Sequence, residues 1–160
     1  MSRRRKEEFS RDIGVDLRFG SPLVQKLINT LMRRGKKNLA RTIVDDAFDI
    51  MIKKYNGDED KALEVFNRAM VEIAPVVAVK PKRVGGSVYQ IPTEVPKRRS
   101  HSLALRWLIT AAKSRSDKTM GQRLAYELLD AYDGRGGAVK KKTDVQRMAE
   151  ANRAFSHYAW

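Results

Sequence analysis

The stretch Pro75–Pro96, PVVAVKPKRVGGSVYQIPTEVP, constrains the fold more than any other part of this 160-residue chain. Val76, Val77 and Val79, then Gly85-Gly86, then Val88, Tyr89 and Ile91 predict two β-strands joined by a tight turn, over about 76–92. No other segment carries a strand signal, so this ribbon has no sheet to join. A lone two-stranded ribbon is marginal in water, which predicts an external partner to cover it. Both strands are edges, which is why Pro81 and Pro92 are tolerated in or beside them. Lys80, Lys82 and Arg83 gather near the turn, where two glycines let the backbone approach a polyanion. The blander reading is a surface hairpin whose solvated lysines discourage aggregation.

The rest of the chain reads as helix. Ser21-Pro22 offers a capping hydroxyl before a proline at the first helical position, and Leu23, Leu27, Ile28 and Leu31 follow at helical spacing up to Gly35. A second helix from Lys36 to about Tyr55 presents Leu39, Ile43, Ala47, Ile50 and Met51 and breaks at Asn56-Gly57. Asp58, Glu59 and Asp60 open a third, which buries Leu63, Phe66, Met70 and Ile73 and stops at Pro75. After the ribbon, Leu105, Leu108, Ile109 and Ala112 predict a fourth helix over about 101–114, and Met120, Leu124, Leu128 and Ala131 a fifth over about 119–132, ended by Gly134, Gly136 and Gly137. Thr143-Asp144-Val145-Gln146 reads as the capping box of a sixth. The expected fold is mainly α: a six-helix, bundle-like body over 21–160, a single domain carrying one protruding antiparallel β-ribbon. Residues 1–20 hold few apolar groups and read as a flexible basic arm.

A formal net charge of +14 calls for an opposing polyanion, nucleic acid first. Apolar runs are far too short to span a membrane, and the basic residues are spread over several segments rather than one amphipathic face, so a membrane partner is not expected. There is no cysteine, no apolar signal segment after the basic start, and only His101 and His157 as histidines. No nucleophile–base pair, metal-ligand spacing or phosphate-binding loop is present, so the sequence points away from an enzyme and from any cofactor, metal or small-molecule substrate.

Charge is also segregated. Acids outnumber bases from Asp45 to Glu72, whereas the arm, the Arg33-Arg34/Lys36-Lys37 turn, the ribbon, Lys97-Arg98-Arg99 and Lys140-Lys141-Lys142 are strongly positive. The last two runs precede the expected starts of the fourth and sixth helices, setting cations against the positive end of a helix dipole at about 0.3–1 kcal/mol each. An anion held there would turn that repulsion into binding; solvated side chains carrying a small penalty are the alternative. Arg99, Ser102, Arg106 and Lys113 share one face of the fourth helix, opposite its apolar stripe. Trp107 reads as a core residue. Tyr89 is placed equally for cross-strand packing and for stacking on a base, and Phe155, Tyr158 and Trp160 read as packing residues.

At this point the residues resemble a family. The segments RVGGSVYQIP and KKKTDVQRMAEANRAFSHY, with FGSPLV, LMRRGKKNLA, ALRWLITAAKSR and KTMGQRLAYEL, are similar to bacterial small-subunit ribosomal protein seven over nearly the whole chain; Ala159 stands where bacterial members often have arginine. The resemblance implies a cytoplasmic protein of the small ribosomal subunit that binds the three-prime major (head) domain of its rRNA and nucleates head assembly. It further implies exit-site tRNA near the ribbon tip at Arg83, Val84, Gly85 and Gly86, neighbouring head and platform proteins, and, in some members, repression of the protein's own messenger RNA. The side chains expected to neutralise rRNA phosphates are Arg3, Arg4, Arg5, Lys6, Arg33, Arg34, Lys36, Lys37, Lys80, Lys82, Arg98, Arg99, Arg106, Lys113, Arg115, Lys118, Lys140, Lys141 and Lys142. The competing reading is an architectural DNA-binding protein with a basic β-ribbon arm; the absence of a wedge proline at the Val84-Gly85-Gly86 tip argues against it.

Overall fold

The computed structural model describes residues 12–158. Ser21 accepts a hydrogen bond from the Val24 N–H at 3.5 Å, and with Pro22 at the first position it starts α1 (Pro22–Leu31). This helix ends at its last leucine, about one turn before the expected stop at Gly35. Arg34 (φ 52°) and Gly35 (φ 73°) are both left-handed, and the Lys36 N–H donates to the Arg33 carbonyl at 3.1 Å, which closes a tight turn ahead of α2 (Lys37–Lys54). Asp58 caps α3 (Glu59–Ile73) by accepting from the Lys61 N–H at 2.9 Å, and Glu59 and Asp60 fill its first turn, as expected.

The core is organised on α5 (Met120–Tyr132), which packs against α2, α3, α4 (Lys97–Ser114) and α6 (Gly137–Ala151). Leu124, Leu128, Phe48, Phe66, Met51 and Leu108 are fully buried there, and Trp107 is half-buried against the same cluster. Thr119 and Gln122 form a reciprocal capping box on α5. A Cβ at Gly121 would stand 2.9 Å from the Asp46 Cβ, so glycine lets α5 cross α2 more closely than any side chain would.

Residues 1–11, with Arg3 to Lys6, lie outside the described residues, as do Ala159 and Trp160. From Asp16 onward the expected arm is packed on the body. The Asp16 carboxylate is buried and accepts from the Arg18 and Phe19 N–H groups; Arg18 bridges Asp49 and Glu59, each at 2.8 Å; the Phe19 ring lies 4.4 Å from that of Phe48. One aromatic ring and two ion pairs anchor a segment whose apolar content alone would not.

Strands β1 (Val77–Val84) and β2 (Ser87–Glu94) pair antiparallel around Gly85-Gly86, both at positive φ, as a two-residue turn requires. The expectation that only an external partner covers the ribbon is corrected. Helix α6 packs on both strands and a final 3₁₀ segment (Arg153–Tyr158) packs on β2. Ile91 is 1% exposed and the Tyr89 ring lies 4.8 Å from that of Phe155. The C-terminal segment therefore acts as the third layer for the ribbon's base.

Two helix starts also differ from the sequence reading. Helix α4 begins at Lys97, so Lys97, Arg98 and Arg99 form its first turn rather than precede it. Pro96 fixes the entry, and the buried Ser100 hydroxyl donates to the Pro75 carbonyl at 2.7 Å, tying the two ends of the ribbon together. Helix α6 begins at Gly137, six residues before the expected capping box. Thr143 lies inside it, and its hydroxyl donates to the Val139 carbonyl at 3.1 Å.

Candidate nucleic-acid interface

The α1–α2 turn, α4 and the start of α6 each bring several basic residues together. Arg33, Arg34, Lys36 and Lys37 are all exposed on a turn that contributes no acidic side chain. On α4, Arg99, Ser102, Arg106 and Lys113 are exposed at i, i+3, i+7 and i+14, forming a stripe roughly 21 Å long at 1.5 Å per residue. Lys118 is exposed just beyond the end of that helix. The opposite side of α4 buries Ala104, Leu105, Leu108 and Ala112.

The ribbon divides its cations between two faces. Side chains paired across the strands share a face, so Lys80 (opposite Ile91) and Lys82 (opposite Tyr89) lie on the Tyr89 side, and Arg83 (opposite Val88) lies on the other. Arg83, Gly85, Gly86 and Val88 are exposed at the tip, and Val84 ends β1 beside the turn. Tyr89, equally suited on sequence to packing or stacking, has its ring against Phe155.

Arg115 is occupied by its own chain. Its guanidinium meets Asp130 at 2.7 Å, Glu127 at 2.9 Å and Asp117 at 3.2 Å. Burial opposes the Arg115 cation, but the hydrogen bonds it donates to Asp130, Glu127 and Asp117 outweigh it and raise its pKa, so the group stays charged at any physiological pH. Glu127, 1% exposed, also accepts the Ala138 N–H at 2.9 Å and thereby caps α6. Gly136 makes this possible, because a Cβ there would stand 2.8 Å from the Glu127 carboxylate. Of the α6 lysines, Lys140 and Lys141 are exposed, whereas Lys142 donates to the Glu72 carbonyl at 2.6 Å near the C-terminus of α3.

The acidic side is equally distinct. Asp45 has its pKa raised, first by burial and then by the Asp16 and Asp49 charges, with Arg18 and Arg41 acting against both. Lys26 is the notable omission from the sequence reading: with Arg98, Ser102 and Asn29 it lines a groove of about 700 Å³ between α1 and α4. A single lysine on an amphipathic helix gives no local signal; only the crossing of the two helices places it beside Arg98. Among the described residues no group of acids and histidines could hold a metal ion, and no helix is long and apolar enough to cross a membrane.

A helical body, a β-ribbon and exposed cations on separate elements place this chain among proteins whose surface suits a polyanion. The comparisons then give the family. The model for ribosomal protein S7p/S5e matches residues 2–153. The small ribosomal subunit protein uS7 of Desulfatibacillum aliphaticivorans is 50% identical over 157 residues, 98% of this chain and 99% of the relative. That of Methylocella silvestris is 50% identical over the full length of both, and that of Roseiflexus sp. (strain RS-1) 53% identical over 143 residues, 89% of each. The chain belongs to the ribosomal protein S7p/S5e family: it is a small-subunit ribosomal protein, not an enzyme, and rRNA binding is general to that family.

Proposed function

We propose that this protein holds the three-prime major (head) domain of small-subunit rRNA in one geometry, nucleating assembly of the head, and that its ribbon tip reaches exit-site tRNA. The observation that carries the reading is the exposed stripe Arg99–Ser102–Arg106–Lys113, which with the α1–α2 turn offers phosphate ligands from separate elements packed on one core. Cations spread over several elements clamp several RNA segments at once, as a junction requires, whereas one basic helix would track a single groove. Neighbouring head and platform proteins, and the protein's own messenger RNA, are further partners on this reading, and the cytoplasmic small subunit is its place of work. Gly85 and Gly86 at the tip carry no side chain that would keep a tRNA backbone away, and Arg83 is exposed beside them.

Binding to a head-domain transcript tests the first part. Affinity is expected to fall on the order of 10³-fold between about 50 and 200 mM salt if six or more phosphates are neutralised, and a transcript of another small-subunit domain is expected to bind far more weakly. A flat salt response, or equal affinity for random duplex DNA, overturns it. Replacing Lys82–Gly86 by a short Asn-Gly turn tests the second: head-domain affinity is expected to fall modestly, while protection of exit-site tRNA in assembled subunits is lost. Unchanged tRNA protection would reduce the tip to an rRNA anchor.

A further inference from the structure

We propose that the groove beside the α1–α2 turn takes one unstacked nucleotide of the bound RNA, its base lying on Leu39 and its flanking phosphates on the surrounding cations. The inference rests on the rRNA-binding reading and specifies a second mode of contact within it. Leu39, Ile43 and Met120 contribute to an apolar floor, and Leu39 is 56% exposed on a helix that buries Val44, Phe48 and Met51 in the core. Arg33, Arg34, Lys36 and Lys113 stand around that floor, and no acidic side chain lines it. A solvent-exposed leucine ringed by cations is poorly matched to water but well matched to a flat ring attached to phosphates.

Size selects the occupant. The groove measures about 310 Å³, at the lower end of small-ligand sites. A docked protein helix needs anchors at i, i+3 or i+4 and i+7, spread over roughly 10 Å, and an acidic helix rather than a basic or neutral one. One nucleotide meets both constraints without that length. The backbone gives independent support. Arg34 holds φ 52° immediately before Gly35 at 73°, a turn in which Asn, Asp or Gly is the relaxed choice at the first position. Keeping an arginine there strains the backbone, and its side chain lies exposed rather than packed on the protein. An arginine held at the groove edge accounts for that strain through the phosphate it would meet.

The test uses the full-length protein and a transcript of the three-prime major domain of small-subunit rRNA. Leu39→Ser is expected to raise Kd about five- to tenfold at every salt concentration while leaving the slope of log Kd against log salt unchanged, because no charge is lost. Arg34→Asn is expected to raise Kd and reduce that slope by about one. Dimethyl sulfate probing is expected to show one base shielded by the wild-type protein and by Arg34→Asn but open with Leu39→Ser. Leu39 is exposed, so the serine variant is expected to melt with the wild type; the milder Leu39→Ala provides the same readouts if it does not. Wild-type affinity and shielding in the leucine variants overturn the proposal. So does a leucine variant that binds the transcript normally yet drops out of assembled subunits, which would make the groove a protein-docking site. Failure of the wild type itself to bind the transcript removes the rRNA reading, and the base site with it.

Discussion

Helices α4 and α6 each carry three consecutive cations near their N-termini, and the fold treats the two differently. At α4, Lys97, Arg98 and Arg99 occupy the first turn itself; Pro96 offers no side-chain cap and no acid is present. At α6 the lysines lie one turn inside the helix, and a carboxylate from α5 meets the N-terminus: Glu127 accepts the Ala138 N–H while Arg115 bridges it to Asp130. The N-terminus of α6 is therefore met by a carboxylate from within the protein, whereas the first turn of α4 holds no acid of its own. The same local signal, three cations beside a helix start, accompanies an internally capped joint in one place and an acid-free first turn in the other.

The largest expected effect comes from breaking the capped joint. Glu127→Ala removes the α6 cap, leaves the Ala138 N–H without its acceptor and takes away one of the three carboxylates around Arg115, and is expected to destabilise the protein by about 3–4 kcal/mol in urea unfolding. Stability within 1 kcal/mol or so of the wild type would mean that the α6 start is held by its apolar contacts instead. Arg115→Ala comes next. It leaves Glu127 buried without its ion pair and is expected to cost about 2–4 kcal/mol. Because Arg115 is spent on carboxylates, the salt slope for RNA binding is expected to match the wild type in protein that remains folded. A slope reduced by about one would instead identify Arg115 as a phosphate ligand.

These two residues also show where the sequence was and was not legible. Helices α1, α3 and α5 begin with side chains that cap their own first turn, Ser21, Asp58 and Thr119, so their starts can be read within a few residues. Helix α6 is capped from eleven positions upstream, across a glycine pair that reads locally as the end of α5. No window of sequence contains that hydrogen bond. The ribbon followed the same division: its strands and Gly85-Gly86 turn are local, whereas the layer that covers its base comes from residues near the C-terminus. The stripe on α4 was readable because helical spacing fixes it, whereas the ion pairs of Arg115 were not, because counting cations does not reveal which carboxylates they meet.

The exposed start is expected to respond in the opposite sense. Arg99→Ala is predicted to weaken binding to the head-domain transcript about three- to tenfold and make the salt dependence shallower by about one. Stability should stay level or rise by about 0.3–1 kcal/mol, since the removed charge opposes the α4 dipole. A destabilised Arg99→Ala with unchanged RNA affinity would erase the difference between the two helix starts.

The smallest effect divides the α6 lysines among themselves. Lys142 donates to the Glu72 carbonyl, one of the last carbonyls of α3, where a cation meets the negative end of the helix dipole. Lys140 and Lys141 are exposed and one turn beyond the Glu127 cap. Lys142→Ala is therefore expected to lower stability by about 0.5–1 kcal/mol with little change in RNA affinity, and Lys140→Ala/Lys141→Ala to leave stability level while reducing affinity and salt slope. Paired urea titrations and salt-dependent binding curves on the two variants separate the roles. If both lose RNA affinity alike and neither loses stability, the Lys142 side chain leaves Glu72 for a phosphate when RNA arrives, and the α6 start joins α4 as an outward-facing anion site despite its internal cap.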